Sequence, residues 1–214
     1  MTGFEFKIFQ FIVLIVSVMV HEVSHGYVAE KLGDPTARLA GRLTFNPLKH
    51  IDMFGSILLP LLLFFSNSPI MIGWAKPVPY NPYNLRDPKY GPLKVALAGP
   101  LSNILMALIF GMLVRFGAFY LPAGFVWLLA IIVLINISLA IFNLLPIPPL
   151  DGSQILNLIL PRRWTMVMER LGFYGIAIIF VFIYFFSFVI DYAVTNSFIA
   201  IVGRSVAGAL FGGL

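Results

Sequence analysis

Apolar runs alternate along this chain with short polar inserts rich in proline and glycine. Five runs stand out, at 8–30, 52–72, 93–119, 125–147 and 171–190. Each approaches or exceeds the ~20 residues that a helix needs to cross a bilayer. A weaker sixth, 196–214, is glycine-rich and carries Arg204, and reads as interfacial or frayed. Between the first two runs, Lys31 to Asp52 contains Gly33-Asp34-Pro35, Gly41-Arg42 and Asn46-Pro47. Those turn signals, separated by short alternating stretches, predict extended or hairpin structure at the membrane surface. A second insert, Gly73 to Tyr90, holds Pro77, Pro79, Pro82 and Pro88 and reads as irregular or strand-like. Pro122 and Gly124 predict a tight turn, and no internal repeat is visible. The pattern predicts an all-α polytopic membrane protein: a helical bundle of about five or six membrane segments with short surface β-hairpins.

The first run is broken by His21-Glu22-Val23-Ser24-His25. Ionisable groups within a membrane segment are expensive and by default mark a functional site. On a helix, positions i and i+4 share a face, so His21 and His25 can hold one metal ion together. Glu22 stands beside them, placed to activate a metal-bound water without being a ligand.

Composition supports the membrane reading. The chain has 214 residues, is 60% hydrophobic and 11% charged, and leaves no polar stretch for a second globular domain. Residues 1–214 therefore read as a single integral-membrane domain whose solvent is the lipid bilayer. The net charge of +5 is scattered through short loops, which fits an anionic leaflet better than nucleic acid, and no nucleic-acid partner is expected. Without cysteine, any metal must use His, Asp or Glu. The first run does not read as a cleaved signal peptide: Glu5 offsets Lys7, no small-residue cleavage site follows, and the run carries the histidines.

Charge also constrains topology. Lys31, Arg38, Arg42 and Lys49 follow the first run and place the histidines toward the cytoplasm. A full crossing by 52–72 would put Lys76, Arg86, Lys89 and Lys94 outside, against the same rule. Its Gly55, Pro60, Asn67 and Pro69 suit instead a broken element that dips in and returns. The alternative is an ordinary span, with the metal reached from either end.

Two histidines leave a metal short of ligands. Among the acids, Asp151 has an unusual setting, Asn143-Leu-Leu-Pro-Ile-Pro-Pro-Leu-Asp151-Gly152, where prolines end an apolar span and Gly152 permits a tight turn. Asp151 is then either a cap for the helix from Ser153 or the third ligand. Beside a two-histidine site that lacks a carboxylate, the ligand reading gains.

His21-Glu22-x-x-His25, followed by Asn143-x-x-Pro146-x-x-x-x-Asp151-Gly152, resembles the site-2 protease family of intramembrane zinc metalloproteases. Ala98-Gly99-Pro100-Leu-Ser-Asn103 looks like that family's Gly-x-x-x-Asn segment. The resemblance covers roughly residues 10 to 160, in the family's order. It resembles the minimal members, since there is room for neither a PDZ nor a CBS domain. It implies core helices around one Zn2+ held by His21, His25 and Asp151, with Glu22 as general base. It also implies edge strands that pair with an unwound substrate helix, for which 36–45 and 74–83 are the candidates. Single-span membrane proteins are the implied substrates, and a prokaryotic cell membrane the implied location, with the site toward the cytoplasm.

Asn103 has two readings: a substrate-backbone or oxyanion contact one turn into a helix started by Gly99-Pro100, or an interhelical hydrogen bond. Asn143 reads as a residue orienting a ligand or the proline turn. His50 reads as an interfacial loop residue beside Asp52, the run from Phe180 as lipid-facing, and Trp74, Trp127 and Trp164 as interface anchors. Two other functions compete. A two-His-one-carboxylate site can hold iron for oxygen chemistry, although Glu22 would then be superfluous. A non-enzymatic ion carrier would spread polar residues over several spans, whereas here they gather at one place. The oligomeric state is left open.

Overall fold

The computed structural model describes residues 3–66, 75–161, 166 and 175–212, and the chain falls into two compact units, Met1–Gly99 and Pro100–Leu214. The described residues form helices and turns, with no strand among them. Among the described residues, four helices are long and apolar enough to cross a membrane: Phe4–Lys31, Gly91–Gly117, Ala123–Asn143 and Ala177–Val202. The protein is an all-α polytopic helical bundle.

The first unit opens with helix α1, Gly3–Lys31. Val13, Ser17, His21, His25 and Ala29, four apart, form a buried stripe, with Met19, Val23 and Gly26 buried beside it, while Ile8, Ile12 and Val16 are exposed. Neighbours four apart share a helix face, so the backbone that makes the span also lines up the imidazoles of His21 and His25. A turn at Gly33 (φ 113°) ends the helix and brings in Asp34, whose N–H donates to the Ala29 carbonyl at 3.0 Å.

Asp34 explains why the predicted hairpin over 36–45 is absent. Its fully buried carboxylate accepts from Thr36 N at 3.2 Å and from the Thr36 hydroxyl, which starts a helical turn, α2 (Thr36–Leu39). It also accepts from Asn81 N at 2.6 Å and Asn84 Nδ2 at 2.8 Å. One acid thus ties the α1–α2 connection to a chain segment fifty residues away, where turn composition alone suggested two local strands. Burial raises the Asp34 pKa, but the hydrogen bonds from Thr36, Asn84 and Asn81 outweigh it and hold the carboxyl below its ordinary range.

Asp52 caps the next element by accepting from Phe54 N and Gly55 N at 3.1 and 2.7 Å. A π-helical segment, Met53–Leu58, runs into α3, Leu59–Phe65. Together they rise roughly 20 Å, less than the ~30 Å hydrocarbon thickness. The remainder of the 52–72 run lies outside the described residues, as do Trp74 and Trp164.

Helix α4, Gly91–Gly117, continues through Pro100, and the two units divide at that residue. Gly99 and Pro100 are therefore helix interior rather than the helix start that the sequence suggested. Nine residues of helix, Gly91–Gly99, precede Pro100, whose missing N–H costs the ladder one hydrogen bond.

In the second unit, α4 packs with α5 (Ala123–Asn143), the end of α7 (Gly175–Val202) and α8 (Arg204–Phe211). Its core holds Val114, Val133, Phe198 and Val202, all essentially inaccessible. Gly111 permits close approach, since a Cβ there would meet the Ile201 side chain. The predicted runs 171–190 and 196–214 are joined: α7 passes through Asp191 and Asn196 and ends at Gly203 (φ 94°). Asn196 stays in the helix by donating from Nδ2 to the Tyr192 carbonyl at 2.7 Å, a contact that hydropathy does not register. Phe180, Tyr184, Phe185 and Phe188 are exposed, as expected for a lipid-facing run. A short helix α6, Ser153–Ile159, follows the proline turn.

Candidate active site

The α1 stripe brings His21 and His25 together inside the first unit, both buried, with their Nε2 atoms 3.0 Å apart. The His25 Nδ1 lies 2.7 Å from the Val95 carbonyl of α4. A carbonyl only accepts, so Nδ1 carries a proton, and in its neutral form the ring offers its lone pair at Nε2. A backbone acceptor behind an imidazole is the usual way a metal-binding histidine is oriented.

Space at those nitrogens comes from Gly99. A Cβ built there would collide with His25 Nε2 and lie 2.5 Å from His21 Nε2. The missing side chain leaves a cradle over the two converging Nε2 atoms. Two imidazole donors, one with its tautomer set, and a cradle that a methyl group would fill together suit a Zn2+ ion.

Glu22 is half-buried one residue from His21, and its Oε2 accepts the Val78 N–H at 2.8 Å. Sequence reasoning missed this partner. The signal was Pro77-Val78-Pro79, a tripeptide whose flanking prolines leave a single backbone donor. Two other N–H groups of the same stretch are also engaged. Lys76 N donates to His50 O at 2.8 Å and Asn81 N to Asp34, and the prolines have nothing to donate. His50, expected at the interface, is buried and bonded through Nε2 to Thr44 O at 2.8 Å.

In the second unit, Asp151 is half-buried in the turn between α5 and α6. The Asn143 backbone closes that turn, accepting the Gly152 N–H at 2.7 Å, while its side chain donates back to Leu139 O at 3.0 Å. Glycine is needed here, because a Cβ at Gly152 would strike the Leu144 carbonyl. The turn is thus closed by the Asn143 backbone carbonyl, and the Asn143 side chain stays on its own helix. Helix α6 begins directly after Gly152. Asn103 is fully buried and donates from Nδ2 to Asn136 Oδ1 at 2.9 Å, the interhelical bond of its second reading. Asn136, a lone amide in the apolar middle of α5, was overlooked in the sequence although its polarity there was the cue.

With this arrangement in view, comparison with known proteins is direct. The model of peptidase family M50 matches residues 117–187. The chain is 39% identical over 177 residues to the "Putative zinc metalloprotease YwhC" of Bacillus subtilis, covering 79% of this chain and 77% of that protein. It is 28% identical over 154 residues to "Zinc metalloprotease MJ0392" of Methanocaldococcus jannaschii, covering 72% of this chain but 35% of that longer protein. No solved structure matches the chain significantly. The chain belongs to peptidase family M50, the site-2 protease family, and is a membrane-embedded metalloprotease rather than an iron oxidoreductase or an ion carrier.

Proposed function

We propose that the protein is an intramembrane zinc endopeptidase that cuts peptide bonds in or near the transmembrane segments of single-span membrane proteins. The observation that carries this reading is the buried His21–His25 pair, with Glu22 beside it, within an apolar span. His21, His25 and Asp151 hold one zinc ion, the aspartate supplying the anionic ligand that a buried dication needs. Bound zinc supplies Lewis acidity and makes water a better nucleophile near neutral pH. Glu22 takes the proton of the attacking water and returns it to the leaving amine. Its Val78 contact occupies one carboxylate oxygen and leaves the other for that transfer.

Peptide amides in a transmembrane helix are protected by their own hydrogen bonds, so the substrate unwinds locally before it is cut. The same reading puts the site toward the cytoplasmic side of a prokaryotic cell membrane, and the positive charges of Lys31, Arg38, Arg42 and Lys49 after α1 support the cytoplasmic side.

The test is the purified protein with a panel of single-span membrane proteins, its metal content measured in parallel. Glu22→Gln should lower cleavage about 10²–10⁴-fold with zinc retained. Asp151→Asn should lose zinc and activity together. Near wild-type cleavage by Glu22→Gln would remove the general-base assignment. Unchanged zinc in Asp151→Asn and Asp151→Ala would make the aspartate a cap.

A further inference from the structure

The segment 75–81 has neither ladder nor helix of its own, yet it sits against α1 beside Glu22 and Gly26. A Cβ at Gly26 would lie 2.7 Å from both Val78 Cγ1 and Leu43 Cδ2. Pro77 and Pro79 bias Lys76 and Val78 toward extended backbone and leave Val78 as the one N–H donor between Lys76 and Tyr80. That proton goes to Glu22.

Something must hold this unladdered backbone at hydrogen-bond distance, and the 37–50 loop does so. Arg42 Nη2 donates to Lys76 O at 2.6 Å and to Pro77 O at 3.3 Å. His50 O receives Lys76 N from the other side. Arg42 is itself fixed, its N–H donating to Ala37 O at 2.9 Å, and its side chain is nine-tenths buried. A guanidinium is costly to bury, and here its hydrogen bonds go to two carbonyls rather than to a carboxylate. An apolar side chain could fill the space, but only a multi-donor group aims those carbonyls and, through them, the next N–H.

We propose that Arg42 is a positioning residue for the Glu22 carboxylate, acting through the backbone of Lys76, Pro77 and Val78. The proposal rests on Glu22 being the general base. Anchoring Oε2 fixes the carboxylate plane and leaves Oε1 as the proton acceptor, so loosening the anchor costs the chemical step and not substrate affinity.

The test uses the full chain and a quenched single-span peptide, a leucine–alanine helix with a central helix-breaking pair. Arg42→Met should lower kcat about 10- to 100-fold with KM and zinc content unchanged. Arg42→Lys should recover part of the loss, because an ammonium still reaches a carbonyl. Val78→Pro, which deletes the N–H itself, should reproduce the kcat defect. Wild-type kcat in Arg42→Met or in Val78→Pro would overturn the proposal. So would a loss explained by KM, by zinc content or by the folded fraction. Activity in Glu22→Gln would instead remove the base assignment. An inactive Glu22→Gln beside fully active Arg42 and Val78 variants would sink the positioning role alone.

Discussion

Asn103 and Asn136, one on α4 and one on α5, share a hydrogen bond of 2.9 Å in a fully buried setting, and Asn136 donates from its own Nδ2 to Ile132 O at 2.9 Å. Two amides that satisfy one another between apolar helices hold the helices in one register. If this is the main role of Asn103, removing either partner should have the same consequence. Asn103→Ala and Asn136→Ala should each lower stability by about 1–2 kcal/mol, with a coupling of roughly 0.6–1.7 kcal/mol in a double-mutant cycle. Thermal unfolding in detergent reads this out. A pair of additive effects, with kcat lost only in the Asn103 variant, would restore the substrate-contact reading.

Gly99 offers a sharper test of the cradle. Its Cβ would overlap the Nε2 atoms of His21 and His25, so Gly99→Ala must push at least one ring aside. Zinc affinity should fall about 10- to 100-fold, by analogy with the loss of a ligand-orienting contact. Gly124→Ala is the control, because nothing lies within 4 Å of a Cβ there. Equal zinc content in the two variants would show that the rings do not use that space.

The contacts that the sequence did not reveal share a physical cause. Helical spacing is local, so the α1 stripe, the apolar spans and the proline turn at Asp151 could all be read from neighbouring residues. Asp34 bonding to Asn81 and Asn84, and Glu22 bonding to Val78, join segments about fifty residues apart, and no local period encodes that. Gly33-Asp34-Pro35 looked like a simple turn because its acid resembles any turn aspartate until its distant donors are known. The join of 171–190 to the final run was hidden for another reason. Asp191, Thr195 and Asn196 lower hydropathy without breaking a helix, and the break falls at Gly203.

The Asp34 knot predicts a specific acid sensitivity. Its folded-state pKa lies below the ordinary value, since donors from Thr36, Asn84 and Asn81 outweigh the burial that raises it. A lowered pKa means that the contribution is complete above the unfolded value of about 3.9 and fades as pH falls through the folded one. Asp87 shifts the same way, through the Tyr90 N–H first and then Lys94, but it sits at the surface and adds little. Stability should therefore decline from about pH 4 downward in the wild type. Asp34→Asn should be less stable by about 1–3 kcal/mol at neutral pH and flatter below pH 4. Limited proteolysis across pH 3–7, cutting first in the 32–36 connection, would register both effects. Identical acid profiles for the two proteins would show that Asp34 is not the group responsible.

The course of the 52–72 run decides which loops share a side of the membrane. Met53–Phe65 rises roughly 20 Å, too short alone to cross. Basic residues at Lys31–Lys49 and Lys76–Lys94 both favour the cytoplasm. A chain without cysteine allows single cysteines to be placed cleanly. At Lys49 and Lys89, both exposed, a cysteine should resist an impermeant thiol reagent in intact cells and react once the membrane is opened. One at Gly124, exposed at the start of α5, should react from outside. Labelling of position 89 in intact cells would show that the run spans fully. The positive loops would then lie on opposite sides, and Asp151 would lose the topological argument that brings it to the depth of His21 and His25. If position 89 stays protected while position 124 labels, α4 runs outward and α5 returns, carrying Asp151 back toward the side on which α1 ends.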